Sequence, residues 1–311
     1  MYFPFRSGKW HNSEKLIRYG MKTRGFQLYA GIMFFISVTF LCSCSDEDPG
    51  FIVPEPDNKH PVSFITYIDG SFAARATTGN SWAGDEQISV RFGDTGMIKQ
   101  YQISQAGELT CATPFYWEST NPVTVTAWYP HSAVQPAVFT VKTDQSSTGY
   151  EESDMLMACG QVVPQNSSLN FSHLPVKIVI NLKGDENAGD ISSAGVSIVN
   201  VSATSGTIIT DSTGKITVEK PALPGDVTII PQDVAQVTPG YQKTVQALIV
   251  PQNKDNSQFI RINFNGKDFY YTPVTGEADI TSGNMYTYNI IVRGTLKSIE
   301  AKSYRSRISQ K

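Results

Sequence analysis

Short runs of alternating apolar and polar side chains dominate the sequence from residue 62 onward, and this period of two is that of a half-buried β-strand. Turn-forming Gly, Asn, Asp and Pro separate the runs. No stretch offers three turns of apolar residues at helical spacing. The pattern predicts an all-β protein with about fourteen strands, at 62–68, 87–92, 101–103, 123–129, 137–141, 169–182, 195–201, 206–210, 216–219, 227–230, 245–250, 259–264, 269–272 and 286–292.

The clearest local signal is Asn265-Gly266, which lies between two such runs. Asn-Gly tolerates the positive φ angles of a type I′ turn, so a tight hairpin is expected there.

The number of strands exceeds what one β-sandwich of seven to nine strands uses. We therefore divide the body near the acidic, Gly-containing stretch 183–190. The predicted domains are an N-terminal β-sandwich at 61–184 and a C-terminal β-sandwich at 185–294. A basic tail or strand follows at 295–311.

An apolar run at 29–41 follows Lys22 and Arg24, as in a secretion signal. Thirteen residues rise only about 20 Å as a helix, which is too short for a bilayer core of about 30 Å. Met21 starts a conventional signal peptide by itself. We expect translation to begin there, so that residues 1–43 comprise a signal peptide with an upstream extension.

The apolar run ends in Leu41-Cys42-Ser43-Cys44, which resembles the bacterial lipobox. This resemblance implies acylation of Cys44, followed by a Pro-rich acidic linker at 44–60. The linker begins with Ser45-Asp-Glu-Asp, which resembles an acidic tag that sends lipoproteins to the outer face of the outer membrane. A lipid-anchored cell-surface protein is the expectation, and a soluble secreted protein is the alternative.

The net charge of −3 combines a basic leader with an acidic body, because residues 45–311 hold 19 basic and 27 acidic side chains. Such a body repels nucleic acid, so no nucleic-acid partner is expected. The body retains Cys111 and Cys159, whose spacing leaves both free thiols and a disulfide open.

Sequence signals for chemistry are weak. The Gly-x-Ser-x-Gly, His-Glu-x-x-His and phosphate-loop motifs are absent, and His60, His131 and His173 are isolated in the sequence. We predict no enzyme, no cofactor and no metal, and we interpret His173 as a packed structural histidine. The aromatics Trp82, Trp117, Trp128 and Tyr129 are either core residues or a platform for sugar rings.

Five ordered segments resemble the fimbrillin-like family of surface lipoproteins, the subunits and anchors of type V pili. They contain Arg75-Ala76; Trp82 with Gly84-Asp85; the strand end Trp128-Tyr129-Pro130; the segment from Asp154 to Phe171-x-His173; and Gly283-x-x-Tyr286-x-Tyr288.

The resemblance implies two tandem transthyretin-like β-sandwiches behind a lipoprotein signal peptide. It also implies proteolytic processing between Arg75 and Ala76, which removes the lipid together with the first strand. The open groove would then accept the C-terminal segment of another pilus subunit as the donor strand, so that subunits join head to tail and support adhesion to a surface glycan or protein.

Two features keep the alternatives open. The tail 295–311 mixes apolar residues irregularly with five basic ones, so an accessory subunit at the tip or anchor is as compatible as a stalk subunit. Arg75 also fits an ordinary surface loop. The alternative function is a glycan-binding outer-membrane lipoprotein that keeps its lipid and does not polymerise.

Overall fold

The computed structural model describes residues 59–69, 81–94, 96–211, 213–222, 225–294 and 298–306. All the described residues belong to one compact unit, Glu55–Lys311. The predicted signal peptide therefore lies outside the described residues. In this described part, no helix has both the length and the apolar character needed to cross a lipid bilayer.

The described residues are built from β-strands and a 3-10 turn at Glu151–Ser153, which confirms the all-β prediction. The N-terminal strands are β1 Ile65–Asp69, β2 Gln87–Phe92, β3 Ile98–Ile103, β4 Leu109–Thr110, β5 Val123–Tyr129, β6 Val138–Thr140, β7 Leu156–Val162 and β8 Ser168–His173.

The C-terminal strands are β9 Val176–Gly184, β10 Gly195–Val201, β11 Ser205–Thr210, β12 Ile216–Val218, β13 Val227–Ile229, β14 Gln232–Asp233, β15 Lys243–Ile249, β16 Gln252–Asn253, β17 Ile260–Phe264, β18 Lys267–Tyr271, β19 Asp279–Ile280, β20 Met285–Arg293 and β21 Ser298–Ser306.

A seven-stranded sheet with the order β1-β8-β7-β5-β2-β3-β4 contains all the N-terminal strands except β6. Its strands pair antiparallel apart from β1, which runs parallel to β8. The second large sheet has the order β14-β15-β9-β20-β21, in which β20 runs parallel to β9. Three smaller sheets hold the remaining described strands: β13-β10-β17-β18, β12-β11-β6 and β16-β19. The N-terminal strand β6 thus pairs with the C-terminal β11.

Two apolar cores fill these layers, and β5 contributes to both. Its Val125 and Ala127 lie in the first core, whereas Trp128 points to the opposite face and joins the second. Leu156 and Met157 on β7 divide between the cores in the same way. Since successive side chains of a strand point to opposite faces, this end of the seven-stranded sheet is buried on both sides.

The predicted hairpin is confirmed: β17 and β18 are joined by Asn265 and Gly266, both with positive φ. The predicted run at 169–182 is wrong as one strand, because it divides into β8 and β9. Pro175, between them, has no N–H to pair, and the N–H of Leu174 bonds instead to the carbonyl of Met155 at 2.8 Å.

The alternation rule also missed β7. Both faces of this strand are buried near Leu156 and Met157, so apolar residues follow one another and no polar face marks the strand.

The domain limits at 184 and 185 stay a prediction. The chain itself changes from the seven-stranded to the five-stranded sheet between His173 and Val176.

Replacing Trp128 with Ala should strongly destabilise the protein, because the ring is fully buried and its Nε1 donates to Ser132 Oγ at 2.8 Å. We expect a loss of about 4 kcal/mol in the free energy of unfolding, measured by urea denaturation. Half-buried Trp117 is the matched control, and Trp117→Ala should cost less than half as much. Equal losses for the two variants would contradict this account of the second core.

Candidate functional site

The segment 62–68 is seated in a groove between β8 and residues 107–117, which we call the first-strand groove. Its side chains alternate strictly: Val62, Phe64, Thr66 and Ile68 are buried, and the residues between them face solvent. Two of these outward-facing residues, Ile65 and Tyr67, are large and apolar, and Ile65 is 45% exposed. The alternation predicted from the sequence thus places four side chains inside the N-terminal core.

Backbone hydrogen bonds hold this segment on both edges. On one edge β1 pairs with β8, in a register that places Ile65 beside Ser168. On the other edge the N–H of Val62 donates to the carbonyl of Phe115 at 2.7 Å, and the N–H of Thr66 donates to that of Gly107 at 2.8 Å. The first strand is therefore an interior strand that closes the seven-stranded sheet onto itself.

Aromatic rings line the middle of the groove around Phe64. The ring of Phe64 meets Phe92 and Tyr101 edge to face, with centroids 6.3 and 5.8 Å apart. The Tyr101 hydroxyl accepts the N–H of Phe115 at 3.1 Å, and burial raises the pKa of this phenol to about 12. The space between Phe92 and Tyr101 therefore forms a slot that fits a flat apolar side chain. The hydrogen bond between Phe115 and Tyr101 holds the opposite wall of the groove in place.

Gly107 allows the two backbones to approach closely. It has a φ of +83°, and a Cβ built on it would lie 2.3 Å from the carbonyl oxygen of Thr66. The Thr66 hydroxyl also donates to the Gly107 carbonyl at 3.0 Å. A glycine is required here both by its own backbone and by the seated strand.

Trp82 lies beside the groove, next to β8 and β5. It is buried and packs edge to face on Phe171 of β8 and on Tyr129 of β5, with centroids 5.3 and 6.1 Å apart. Burial is the main cause that raises the pKa of Tyr129 to about 12. Three of the residues that carried the family resemblance are thus brought together beside the first strand.

The sequence model of the family described as fimbrillin-like matches residues 74–305. The chain belongs to the fimbrillin-like family. None of the curated proteins compared with it matches.

Solved structures share its fold. A structure described as a candidate cell adhesion protein from Bacteroides ovatus is 18% identical, with a TM-score of 0.58 over 81% of this chain and 99% of its own. One so described from Bacteroides uniformis is 17% identical, with a TM-score of 0.59 over 80% and 99%.

Other motif positions of this fimbrillin-like chain have local structural roles. Gly84 has a φ of +101°, and its N–H and that of Ala83 donate to the buried Glu86 carboxylate at 2.8 and 2.7 Å. Asp85 is exposed. Sequence reasoning chose Asp85 and missed Glu86, because the two adjacent carboxylates differ only in the face of the chain on which they lie.

His173 lies at the junction between the two large sheets. Its Nδ1 is 2.6 Å from Asp154 Oδ1, and both side chains are fully buried. Burial lowers the pKa of nearby Lys177 to about 8, although the charge of Asp154 opposes the shift. The arrangement agrees with the interpretation of His173 as a packed structural histidine.

The last motif supports the second sheet. Gly283 has a φ of +69°, and a Cβ built on it would lie 3.6 Å from the carbonyl oxygen of His173. The Tyr286 hydroxyl donates to the carbonyl of Asp279 at 3.0 Å, and the buried Tyr288 ring packs on Phe259.

Pro130 follows Tyr129 through a cis peptide bond. The motif positions therefore do not converge on one site.

Cys44, Arg75 and Ala76 lie outside the described residues, so lipidation and processing there stay predictions. Cys111 and Cys159 are free thiols. Among the described residues no group of three or more His, Cys, Asp or Glu side chains is placed to hold a metal ion.

Trp82, Trp117 and Trp128 do not form one exposed platform. Trp82 and Trp128 are buried in different cores. Trp117 is half-buried and lines a cavity of about 490 Å³ together with His60 and Glu118. The geometry therefore favours the core interpretation for two of the three rings.

Gly107→Ala should destabilise the chain by about 3 kcal/mol or more, because the new methyl group would overlap the Thr66 carbonyl. Gly96 is the matched control: its φ is +70°, but no atom lies within 4 Å of the added Cβ. Gly96→Ala should cost only about 1 kcal/mol. Urea denaturation measures both losses, and similar values would show that the groove wall tolerates bulk.

The buried amine of Lys177 should make stability rise with pH above about 8. The unfolded chain has the ordinary lysine pKa of 10.5, so it binds more protons than the folded protein between these values. Relative to Lys177→Met, the wild type should gain about 2 kcal/mol between pH 7.5 and 10. Urea denaturation of both proteins at both pH values tests this. A difference independent of pH would contradict the assignment.

Proposed function

We propose that this protein is a cell-surface lipoprotein and a structural or accessory subunit, at the tip or anchor, of a type V-like pilus. Acylation of Cys44 holds it in the outer membrane, and processing after Arg75 removes the lipid and the first strand. Strand exchange then joins it to other pilus subunits, and the assembly supports adhesion to a surface glycan or protein. The role is structural and includes no catalytic step.

The position of the first strand, paired on both edges in its groove, is the main support for the proposal. Residues 62–68 are paired on both edges and bury alternate side chains, yet β1 ends at Asp69 and β2 begins only at Gln87. Arg75 falls in the connection between these strands. Cleavage there leaves residues 62–68 held by non-covalent contacts alone.

Loss of the first strand would leave two unsatisfied requirements. The slot around Phe92 and Tyr101 would expose apolar surface, and the backbone groups of β8 and of residues 107–117 would lose their partners. A strand from another subunit meets both requirements, through backbone pairing and through alternate side chains. Because donor and acceptor surfaces differ, such joining is head to tail and extends into a filament.

Family membership and the described fold support a pilus role over other classes. The matched solved structures are described as candidate cell adhesion proteins. Trp82, which would have belonged to a sugar-binding platform, instead packs beside the first strand. The glycan-binding alternative therefore has only one half-buried ring, Trp117, in its favour among the tryptophans of the described residues.

The N-terminal residue and mass of the protein from intact producing cells test the proposal. When the producing cells contain an active protease that cleaves after arginine, the wild type should begin at Ala76. With the protease inhibited, or with Arg75→Lys, it should begin at acylated Cys44. Arg91→Lys, on β2, is the control and should be processed like the wild type. A wild-type chain that still begins at acylated Cys44 under active protease would overturn processing and strand exchange, and would leave an anchor subunit or a glycan-binding lipoprotein, which sugar-binding assays separate.

A further inference from the structure

The cavity of about 490 Å³ beside Trp117, which we call the Trp117 cavity, lies at one end of the seven-stranded sheet. Thr120, which lines it, comes just before β5 begins at Val123. Pro164, which also lines it, comes just after β7 ends at Val162. The opposite ends of β5 and β7 reach the second core. The cavity thus lies away from the junction of the two large sheets, and its volume is typical of small-molecule sites.

An indole ring forms one wall of the Trp117 cavity. Trp117 is half-buried, and the ring of Phe92 meets it edge to face with centroids 5.3 Å apart. The N–H of Trp117 donates to the carbonyl of His60 at 3.0 Å. Ring and backbone are therefore held in place before a ligand arrives, so binding requires little further ordering of this wall.

Side-chain oxygens surround this ring. Glu118, Ser119 and Thr120 are exposed, and they line the cavity together with Ser63 and Ser167. Hydroxyl groups both donate and accept hydrogen bonds, and a carboxylate accepts several. A pyranose sugar has one face of C–H groups and a rim of hydroxyl groups. Such a molecule matches an aromatic face with polar oxygens around it.

Backbone hydrogen bonds close the chain beside the cavity. Val163 and Asn166 bond to each other through their N–H and carbonyl groups, at 3.0 and 2.9 Å. The N–H of Ile65 donates to the carbonyl of Ser167 at 3.3 Å. At these described positions an added peptide strand would lack free backbone groups to pair with, so recognition here depends on side chains.

We propose that the Trp117 cavity binds a neutral saccharide, such as a terminal disaccharide of a surface glycan. One sugar ring would stack its C–H face on the Trp117 indole, and its hydroxyl groups would bond to Glu118 and to the neighbouring side-chain hydroxyls. This inference rests on the proposed function, because it names the ligand for the adhesion that we propose there.

The charge of the cavity selects a neutral sugar over an acidic one. Among the described residues that line it, Glu118 supplies a carboxylate and none is a lysine or an arginine. Lysines line a neighbouring cavity instead, where the Lys99 ammonium donates to the carbonyls of Thr113 and Pro114, both at 2.8 Å. A uronic acid on Trp117 would therefore meet a like charge at Glu118.

One wall of the cavity belongs to the segment that processing would remove. His60, Pro61 and Ser63 line the cavity and precede Arg75 in the chain. The complete site therefore exists while the first strand is in place. A sugar that contacts both walls would also stabilise the seated strand, because a ligand favours the state that binds it.

Isothermal titration calorimetry tests the site in full-length Arg75→Lys protein, isolated in detergent from producing cells. Maltose, cellobiose, lactose and mannobiose are the neutral probes, each titrated to about 10 mM. At least one should bind, and Trp117→Ala and Glu118→Ala should each weaken that binding at least about 10-fold. Because Glu118 is exposed, its variant tests the site even where Trp117→Ala unfolds. Tyr270→Ala, at an exposed ring on β18, is the matched control and should bind normally.

An acidic probe tests the role of charge in the same experiment. Digalacturonate should bind the parent protein at least about 10-fold more weakly than the best neutral probe, and Glu118→Gln should strengthen its binding. Equal binding of digalacturonate by the parent protein and by Glu118→Gln would contradict the proposed selectivity.

The outcomes separate this inference from the proposed function. If no neutral probe binds, or if binding persists in both Trp117→Ala and Glu118→Ala, the inference fails, whether or not the wild type is processed and assembles. If a probe binds through Trp117 and Glu118 but the wild type is never processed, the saccharide site stands and strand exchange fails. Processed chains that begin at Ala76 should bind at least about 10-fold more weakly. Equal binding by them would contradict the wall formed by the first strand.

Discussion

The backbone pairing of residues 62–68 on both edges is the constraint on which the N-terminal sheet depends. A sheet that twists into closure has no free edges, so every strand in it is needed to satisfy its two neighbours. Here the closing strand is also the first one, and its continuation contains Arg75. The strand that completes the sheet is thus the one that the proposed cleavage after Arg75 would separate from the rest of the chain.

Close approach and shape make this position selective. Gly107 lets the backbones meet, and the rings of Phe92 and Tyr101 form a slot for an aromatic side chain. Backbone pairing by itself accepts many sequences, because every residue except proline offers the same groups. Side chains at alternate positions therefore decide which strand fits, and the outward positions remain free to carry charge.

A second level of organisation couples the two cores. β5 and β7 bury both faces near Trp128 and Met157, β6 pairs with β11, and the buried Gln145 amide bonds to both backbone groups of Leu248. Polar groups buried in this way must be paired, so the crossing segment is fixed in place. A force applied at one sheet would therefore be transmitted to the other through packed and hydrogen-bonded structure.

The sequence alone determined the all-β class, the Asn265-Gly266 hairpin and the alternation at 62–68, because these depend on local period and turn chemistry. It did not show β7, buried on both faces, nor the choice of Glu86 over Asp85 as the buried carboxylate. Only the tertiary structure decided that the first strand is paired on both edges, that Gly107 faces Thr66, and that Trp82, Tyr129 and Phe171 meet. These contacts join residues distant in sequence, and no local pattern encodes which strands become neighbours.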